Sequence, residues 1–473
     1  MHDKSPAPDL AHLGVRELTR MFADGTTTPV ALVEATFHQI EAQNDAINAF
    51  SFVDKEGARV AANASTERWS VGTPLSAIDG ITTTVKDVMM VKGWETTFGS
   101  HVLGSGKPSD WNSPAVARLV EAGAVLVGQT TTPEIGWKGV TDSPRHGTTR
   151  NPWDVRKTPG GSSGGAAAAA AIGAGVLHLG TDGGGSTRLP SALCGVFGHK
   201  PSHGRVPVYP PSPYSTLATA GPMARHVEDA AIMLSIISRP DVRDWHALPY
   251  ENVAFEDTLG DGIDGTRIAY SPDLGHVDVD PQVASSVKAA VETLTSLSAQ
   301  VEEVLSLFAL PEGAMDVLWY AGIAQRLEHL DDAQCAQLDP KLLRLARKGE
   351  EISLSEYLRA NLARVELGGV AKEYFRDIDH LVTPTVPMPA FDIDVPFTDK
   401  HGQRWSHDLI PFTSPFNLTK QPACSVPCGF TEEGLPIGLQ IIGDSFDDQS
   451  VLKAAFSYEQ VAPAHLSPAG TVN

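Results

Sequence analysis

Residues able to do chemistry concentrate in one stretch, Thr158–Lys200, where two serine sites sit among glycines. The first reads Gly160-Gly161-Ser162-Ser163-Gly164-Gly165 and the second Gly183-Gly184-Gly185-Ser186, with an alanine-rich run between them. Glycine beside a serine frees the backbone for conformations that other residues avoid, and lets a substrate approach the main chain. Successive exposed N–H groups in such a turn form an anion-binding concavity. A serine hydroxyl at the end of three glycines is thus placed to attack a carbonyl whose oxygen those N–H groups receive.

Three runs here resemble the signature of the amidase signature family. They are the Gly160–Gly165 cluster, the segment Gly180-Thr181-Asp182-Gly183-Gly184-Gly185-Ser186-Thr187-Arg188, and Cys194-Gly195-Val196-Phe197-Gly198-His199-Lys200-Pro201. The resemblance implies a Ser–cis-Ser–Lys triad: Ser186 as nucleophile, Ser162 on a cis peptide as proton relay, and an upstream lysine followed by aspartate as base. Ile81-Thr82-Thr83-Thr84-Val85-Lys86-Asp87 supplies that lysine, Lys86. The N–H groups of Gly183, Gly184, Gly185 and Ser186 would form the oxyanion hole. Asp182 and Arg188 would brace the glycine loop, with Ser163 and Thr181 adding hydrogen bonds. A lysine is charged at neutral pH, with a reference pKa of about 10.4. Burial among neutral hydroxyls would favour the neutral form that a base requires. The plainer alternatives are a surface Lys86 paired with Asp87, and a surface salt bridge between Asp182 and Arg188.

Competing motifs fare worse. Gly160-Gly161-Ser162-Ser163-Gly164 also fits G-x-S-x-G, but that elbow needs an apolar strand before it, and Asp154-Val155-Arg156-Lys157-Thr158-Pro159 is polar. Gly180–Thr187 lacks the lysine of a phosphate loop. His199 and His203 have Pro201 between them, and Cys424 and Cys428 have poor zinc spacing, so neither a metal nor a cofactor is expected.

The elements that must position these residues alternate between helix and strand, which points to α/β layering. Val15–Ala23 reads as a helix after a loose lead-in over residues 1–13, and Thr28-Pro29 as the cap and first turn of the next. Gly57–Thr66 and the run from Pro114 to Ala122 are further helices; Ile81–Val85, Ala124–Val127 and Leu177–Leu179 are strands. Thr141–Asn151 reads as a polar loop. Val206–Pro213 carries four prolines and is either a pocket rim or a surface loop. Residues 240–265 form a linker or an excursion across the surface. Strands then follow at Thr266–Tyr270, Asp379–Val382, Pro422–Val426 and Leu435–Gly443, with helices at Val227–Ile237, Pro281–Ser296 and Asp447–Gln460. Residues 305–377 are helical by pattern. Trp319, Tyr320, Leu327 and Tyr357 there are possible pocket walls, although ordinary core is the better reading of each. The resemblance resumes in Thr383-Pro384-Thr385, Phe416-Asn417-Leu418 and the run from Gln421 to Gln440. It implies one domain over residues 1–473, with a signature core at about 75–235, built as a mixed sheet between layers of helices.

A net charge of −21 argues against nucleic acid or an anionic membrane as partner. The N-terminus lacks a secretory pattern, no run is long enough to span a bilayer, and four scattered cysteines suit a reducing compartment, so a cytoplasmic location is expected. The expected function is hydrolysis of a small-molecule amide, with esters and carbamates as further substrates, by a monomer or homodimer. The alternatives are the glutamine-hydrolysing A subunit of a tRNA-dependent amidotransferase, and a non-catalytic binding protein on the same scaffold. Pro201-Ser202-His203-Gly204-Arg205-Val206-Pro207 resembles the stand-alone amidases more than that amidotransferase component.

Overall fold

The computed structural model describes residues 10–305, 311–393, 409–462 and 468. Residues 1–9 of the expected lead-in and 306–310 of the expected helical region lie outside these; Leu10–His12 forms a short 3-10 turn.

Among the described residues, eleven strands form one mixed sheet. From edge to edge they are Phe50–Val53, Val125–Thr130, Thr82–Lys86, Leu177–Asp182, Thr219–Ala224, Phe197–Lys200, Ala423–Phe430, Pro436–Gly443, His380–Pro384, Arg267–Tyr270 and Gln300–Glu303. Helices cover both faces, giving the α/β fold with a mixed sheet between helical layers. Thr82–Lys86 runs parallel to Val125–Thr130 on one side and to Leu177–Asp182 on the other. Leu177–Asp182 is antiparallel to Thr219–Ala224. The carboxyl ends of two adjacent parallel strands therefore deliver Lys86 and the loop that begins at Gly183 to the same edge of the sheet. Open α/β sheets bind ligands at that edge.

Local chemistry explains most elements. Val15–Ala23 buries Val15, Leu18, Met21 and Phe22 on one face. Thr28 accepts from the Ala31 N–H at 3.1 Å and Pro29 opens the helix Pro29–Ile47, a cap worth about 1 kcal/mol. The helix expected from Gly57 begins earlier, at Lys55, because the Asp54 carboxylate caps the Gly57 N–H at 2.8 Å. The strand that carries Lys86 is β-branched and wholly buried. Its threonines are satisfied across the layers: Thr36 donates to Thr82 at 3.1 Å, and Thr84 meets His178 Nδ1 at 2.8 Å.

The alanine helix, Gly164–Ala171, is buried on every side. Ala166, Ala167, Ala170 and Ala171 pack against Cys194, Val196 and Met223, whereas Ala168 and Ala169 face Val125, Val127 and Phe37. Only a side chain as short as alanine lets one helix meet neighbours on both sides at this separation.

Four strands of the sheet lie outside the sequence expectation. Thr219–Ala224 holds Gly221 and Pro222 and is buried on both faces, so it shows neither strand propensity nor alternation. Phe197–Lys200 is four residues long, and Phe50–Val53 is an edge strand shifted by a bulge. Gln300–Glu303, at the other edge, is short, charged and largely exposed. The loop expected over Thr141–Asn151 contains a small hairpin, Asp142–Ser143 with Gly147–Thr148. Residues 240–265 are an excursion rather than a linker: Phe255, Leu259 and Ile263 are buried in the main core, and strands on both sides belong to one sheet. The region after residue 311 is helical, with Ala314–Leu327, Asp332–Cys335, Pro340–Glu350 and Leu354–Tyr374. No helix among the described residues is long and apolar enough to cross a membrane.

Candidate active site

Lys86 ends its strand fully buried, and its Nζ lies 2.7 Å from Ser162 Oγ, 2.9 Å from Ser163 Oγ and 2.9 Å from Thr181 Oγ1. Asp87 takes no part in this. It accepts from the Thr97 N–H at 2.7 Å and from the Thr97 hydroxyl, so the reading of Lys86 as a surface lysine paired with Asp87 fails. Burial pushes the Lys86 ammonium down to about 7, although the Asp182 carboxylate pulls the other way. A second buried lysine, Lys200, is also pushed down to about 7, first by burial and then by Arg188. Among the described residues its Nζ donates to the Pro201 carbonyl, at 3.0 Å, and has no hydrogen bond to either serine.

The hydroxyls around Lys86 constrain one another's hydrogen bonds. Ser163 Oγ accepts from the Thr181 N–H at 3.2 Å and donates its own hydrogen to the Thr181 carbonyl at 3.1 Å. A neutral Lys86 can then donate to Ser163 and Thr181, which leaves its lone pair for the Ser162 hydroxyl. Ser162 follows a cis Gly161–Ser162 peptide. No strand precedes it, which removes the G-x-S-x-G elbow reading. The Ser163 N–H donates to the Ser186 carbonyl at 3.1 Å and ties the two serine loops together.

Asp182 and Arg188 form a fully buried pair: Arg188 Nε and Nη2 reach the two carboxylate oxygens at 2.9 Å each. Burial would raise the Asp182 pKa, but Arg188, with Lys200 and Asn417, holds the carboxyl well below the usual range. This is no surface salt bridge. Asp182 Oδ1 also accepts from the Gly185 N–H at 2.8 Å, which corrects one expectation: the Gly185 N–H is committed inside the loop. The N–H groups of Gly183, Gly184 and Ser186 meet no acceptor among the described residues. Gly185 is held at φ +136°, and a Cβ there would lie 2.3 Å from Thr413 Oγ1, which itself donates to the Gly184 carbonyl at 2.6 Å.

Several supporting residues carried no legible role in the sequence. Arg188 Nη1 donates to the Thr413 carbonyl at 3.0 Å and to Gln440 Oε1 at 2.7 Å, and Nη2 to Asn417 Oδ1 at 2.7 Å. Asn417 and Gln440 stand in runs that carry the family resemblance, which was the available signal. Thr413 and Gly136 offered none. Gly136 has φ +71°, and a Cβ there would press within 2.9 Å of Ser162 Oγ.

Ser162, Thr181, Gly183 and Ser186 open onto a cavity of about 720 Å³. Pro207–Pro213 and Tyr214 line it, so the proline-rich loop is a pocket rim. Trp319 lines it as well and is not ordinary core: its ring stacks on Tyr214 with centroids 3.6 Å apart, and it lies against Gly183. Leu327 is core as expected, and Tyr357 lines a separate cavity of about 270 Å³. Among the described residues no cluster of three or more His, Cys, Asp or Glu side chains could hold a metal ion. His199 Nε2 instead lies 3.2 Å from Asp448 Oδ1.

Comparison with known proteins gives a consistent family. The amidase family profile matches residues 31–452. The chain is similar to an acylamidase of Rhodococcus erythropolis, with 34% identity covering 96% of each chain. It is equally similar to the glutamyl-tRNA(Gln) amidotransferase A subunit of Chloroflexus aurantiacus, with 35% identity covering 97% of this chain and 98% of that one. Its fold matches the crystal structure of a bacterial aryl acylamidase of the amidase signature enzymes, with a TM-score of 0.88 and 28% identity over 96% of each chain.

Proposed function

Because this chain belongs to the amidase signature family of amide hydrolases, we propose that it cleaves small acyl or aryl amides through Ser186, Ser162 and Lys86. The observation that carries the reading is the buried Lys86 amine held at 2.7 Å from Ser162 Oγ, in an environment that lowers its proton affinity. Ser186 Oγ attacks the carbonyl carbon as its proton passes to Ser162 Oγ and the Ser162 proton passes to Lys86 Nζ. The oxyanion is received by the N–H groups of Gly183, Gly184 and Ser186, while Gly185 and the Asp182–Arg188 pair keep the loop in shape. Losing one such donor typically costs about 3 kcal/mol in the transition state. The relay then runs backwards: Ser162 protonates the leaving nitrogen as the C–N bond breaks, and Lys86 returns a proton to Ser162. Water enters and attacks the acyl carbon as it gives a proton to the same relay, and the relay returns that proton to Ser186 Oγ as the acyl C–O bond breaks and the acid leaves. The scheme calls for no cofactor and extends to esters and carbamates, whose carbonyls are attacked in the same way.

The similarity to the amidotransferase component favours a second reading, glutamine hydrolysis for a partner that works on charged tRNA. Three substrates separate the two readings: an anilide, an N-aryl carbamate, and free glutamine, each with wild type and Ser186→Ala. Anilide turnover that vanishes in the variant is expected, and carbamate turnover would extend the range. Ammonia release from glutamine alone would replace the first reading with the second. Turnover that survives in Ser186→Ala would overturn the assignment of the nucleophile.

A further inference from the structure

The cavity wall carries a cation that the hydrolytic scheme does not use. Arg326 lies on the helix Ala314–Leu327, half-buried, and lines the same cavity as Ser186. Its Nη2 donates to the Leu103 carbonyl at 3.4 Å, and its guanidinium stands 5.3 Å from the centroid of the Phe98 ring. No carboxylate pairs with it among the described residues. The other charged residues that line the cavity, Lys107 and Asp110, are exposed. Burial shifts the Arg326 pKa downward with no acidic group opposing it, which marks a charge that has lost water and gained no counter-ion. Such a group costs free energy unless an anion completes it.

The helix also sets the spacing. Trp319 and Arg326 are seven residues apart, two turns, so both face the cavity. Trp319 lies against Gly183, beside Ser186. Seven residues of helix advance ~10 Å, so the Trp319 and Arg326 side chains leave the helix about that far apart along its axis. An apolar, ring-lined passage separates them, with Phe98 beside the arginine and Tyr214 beside the tryptophan.

We propose that this cavity selects amides whose far end, about two helical turns beyond the Trp319 ring that lies against Gly183, bears a carboxylate that Arg326 receives, with an aromatic or extended apolar body between the two. The inference rests on the amide-hydrolase reading for its chemistry, but it concerns binding and can fail separately.

A matched pair of probes tests this: 3-(4-acetamidophenyl)propanoate and the corresponding propanamide, equal in shape and differing in charge. In Ser186→Ala protein, calorimetry should show the carboxylate binding at least tenfold more tightly than the carboxamide. Arg326→Gln in that background should erase the difference and Arg326→Lys should restore part of it, because lysine keeps the charge but lacks the planar fork. The preference should also shrink as salt is raised. In wild type the same preference should appear in kcat/KM, through KM. Equal binding of the two probes, or a preference that survives Arg326→Gln, would overturn the proposal. Selective binding without turnover of either probe would leave it standing and count against the hydrolase reading.

Discussion

At the floor of the cavity Lys86, Ser162, Ser163, Asp182 and Arg188 are buried, with Lys86 hydrogen-bonded to both serines and Arg188 to Asp182. Along its wall Trp319, Tyr214 and the Pro207–Pro213 loop meet through ring faces and prolines, and Trp319 gives its one polar hydrogen to the Trp137 carbonyl at 3.2 Å. The floor is polar and closely hydrogen-bonded: Lys86, Ser163, Asp182 and Arg188 each have several partners, which holds the site in shape before substrate arrives. The wall is apolar contact, which tolerates changes of shape and sets what fits. Changes in the floor should therefore act on the rate of the chemical step or on folding itself, and changes in the wall on which substrate is bound.

The largest effect is expected where the floor network is cut at its most connected residue. Arg188→Met leaves Asp182 as an unpaired buried charge and frees the carbonyl of Thr413 and the amides of Asn417 and Gln440 from their shared partner. Breaking such a pair costs about 3–5 kcal/mol. Chemical denaturation should show that loss, along with collapse of turnover; a variant of wild-type stability would mean that the network is less cooperative than its geometry suggests. Gly185→Ala comes next. Its Cβ would meet Thr413 Oγ1 at 2.3 Å and its φ is unsuited to alanine, so the Ser186 loop must shift. Misplacement on that scale costs about 10²-fold in rate, and kcat should fall with little change in KM. Trp319→Ala should act the other way, raising KM for aryl substrates about tenfold while kcat changes less, since it removes buried aromatic surface and no proton path. A fall in kcat without a change in KM would erase the distinction between wall and floor.

The same contrast explains what the sequence made legible. The floor is written in local runs: the glycine–serine clusters and the strand before Lys86 carry the family resemblance that picks out Ser162, Ser186 and Lys86, and the fold brings the three segments together. Asp182 and Arg188, six residues apart, can also be paired, although their depth cannot be read. Thr413 and Gly136 reach the site from distant segments and are ordinary residue types, so nothing local marks them. A run of three glycines does not say which peptide turns inward to Asp182, so the Gly185 N–H looks like one of four equal donors until the loop is seen. The wall is written in spacing alone. Trp319 and Arg326 look like any tryptophan and arginine on an amphipathic helix until the fold turns that face toward Gly183. Among the sheet strands, Thr219–Ala224 escapes because central burial removes the alternation on which strand reading depends.

The central claim is that Lys86 is the final acceptor of the Ser186 proton, and the pH dependence of kcat/KM for an anilide tests it most directly. A base must be neutral to accept a proton, and Lys86 is held at about 7. Activity should therefore fall as pH drops below about 7 and level off above it. Lys200 is held at a similar value, so the profile must be paired with Lys86→Met. The account predicts that this variant loses on the order of 10²–10⁴-fold in kcat/KM and that what remains no longer rises through pH 7. Wild-type turnover in Lys86→Met at neutral pH, or a residual activity that keeps the same rise, would contradict it.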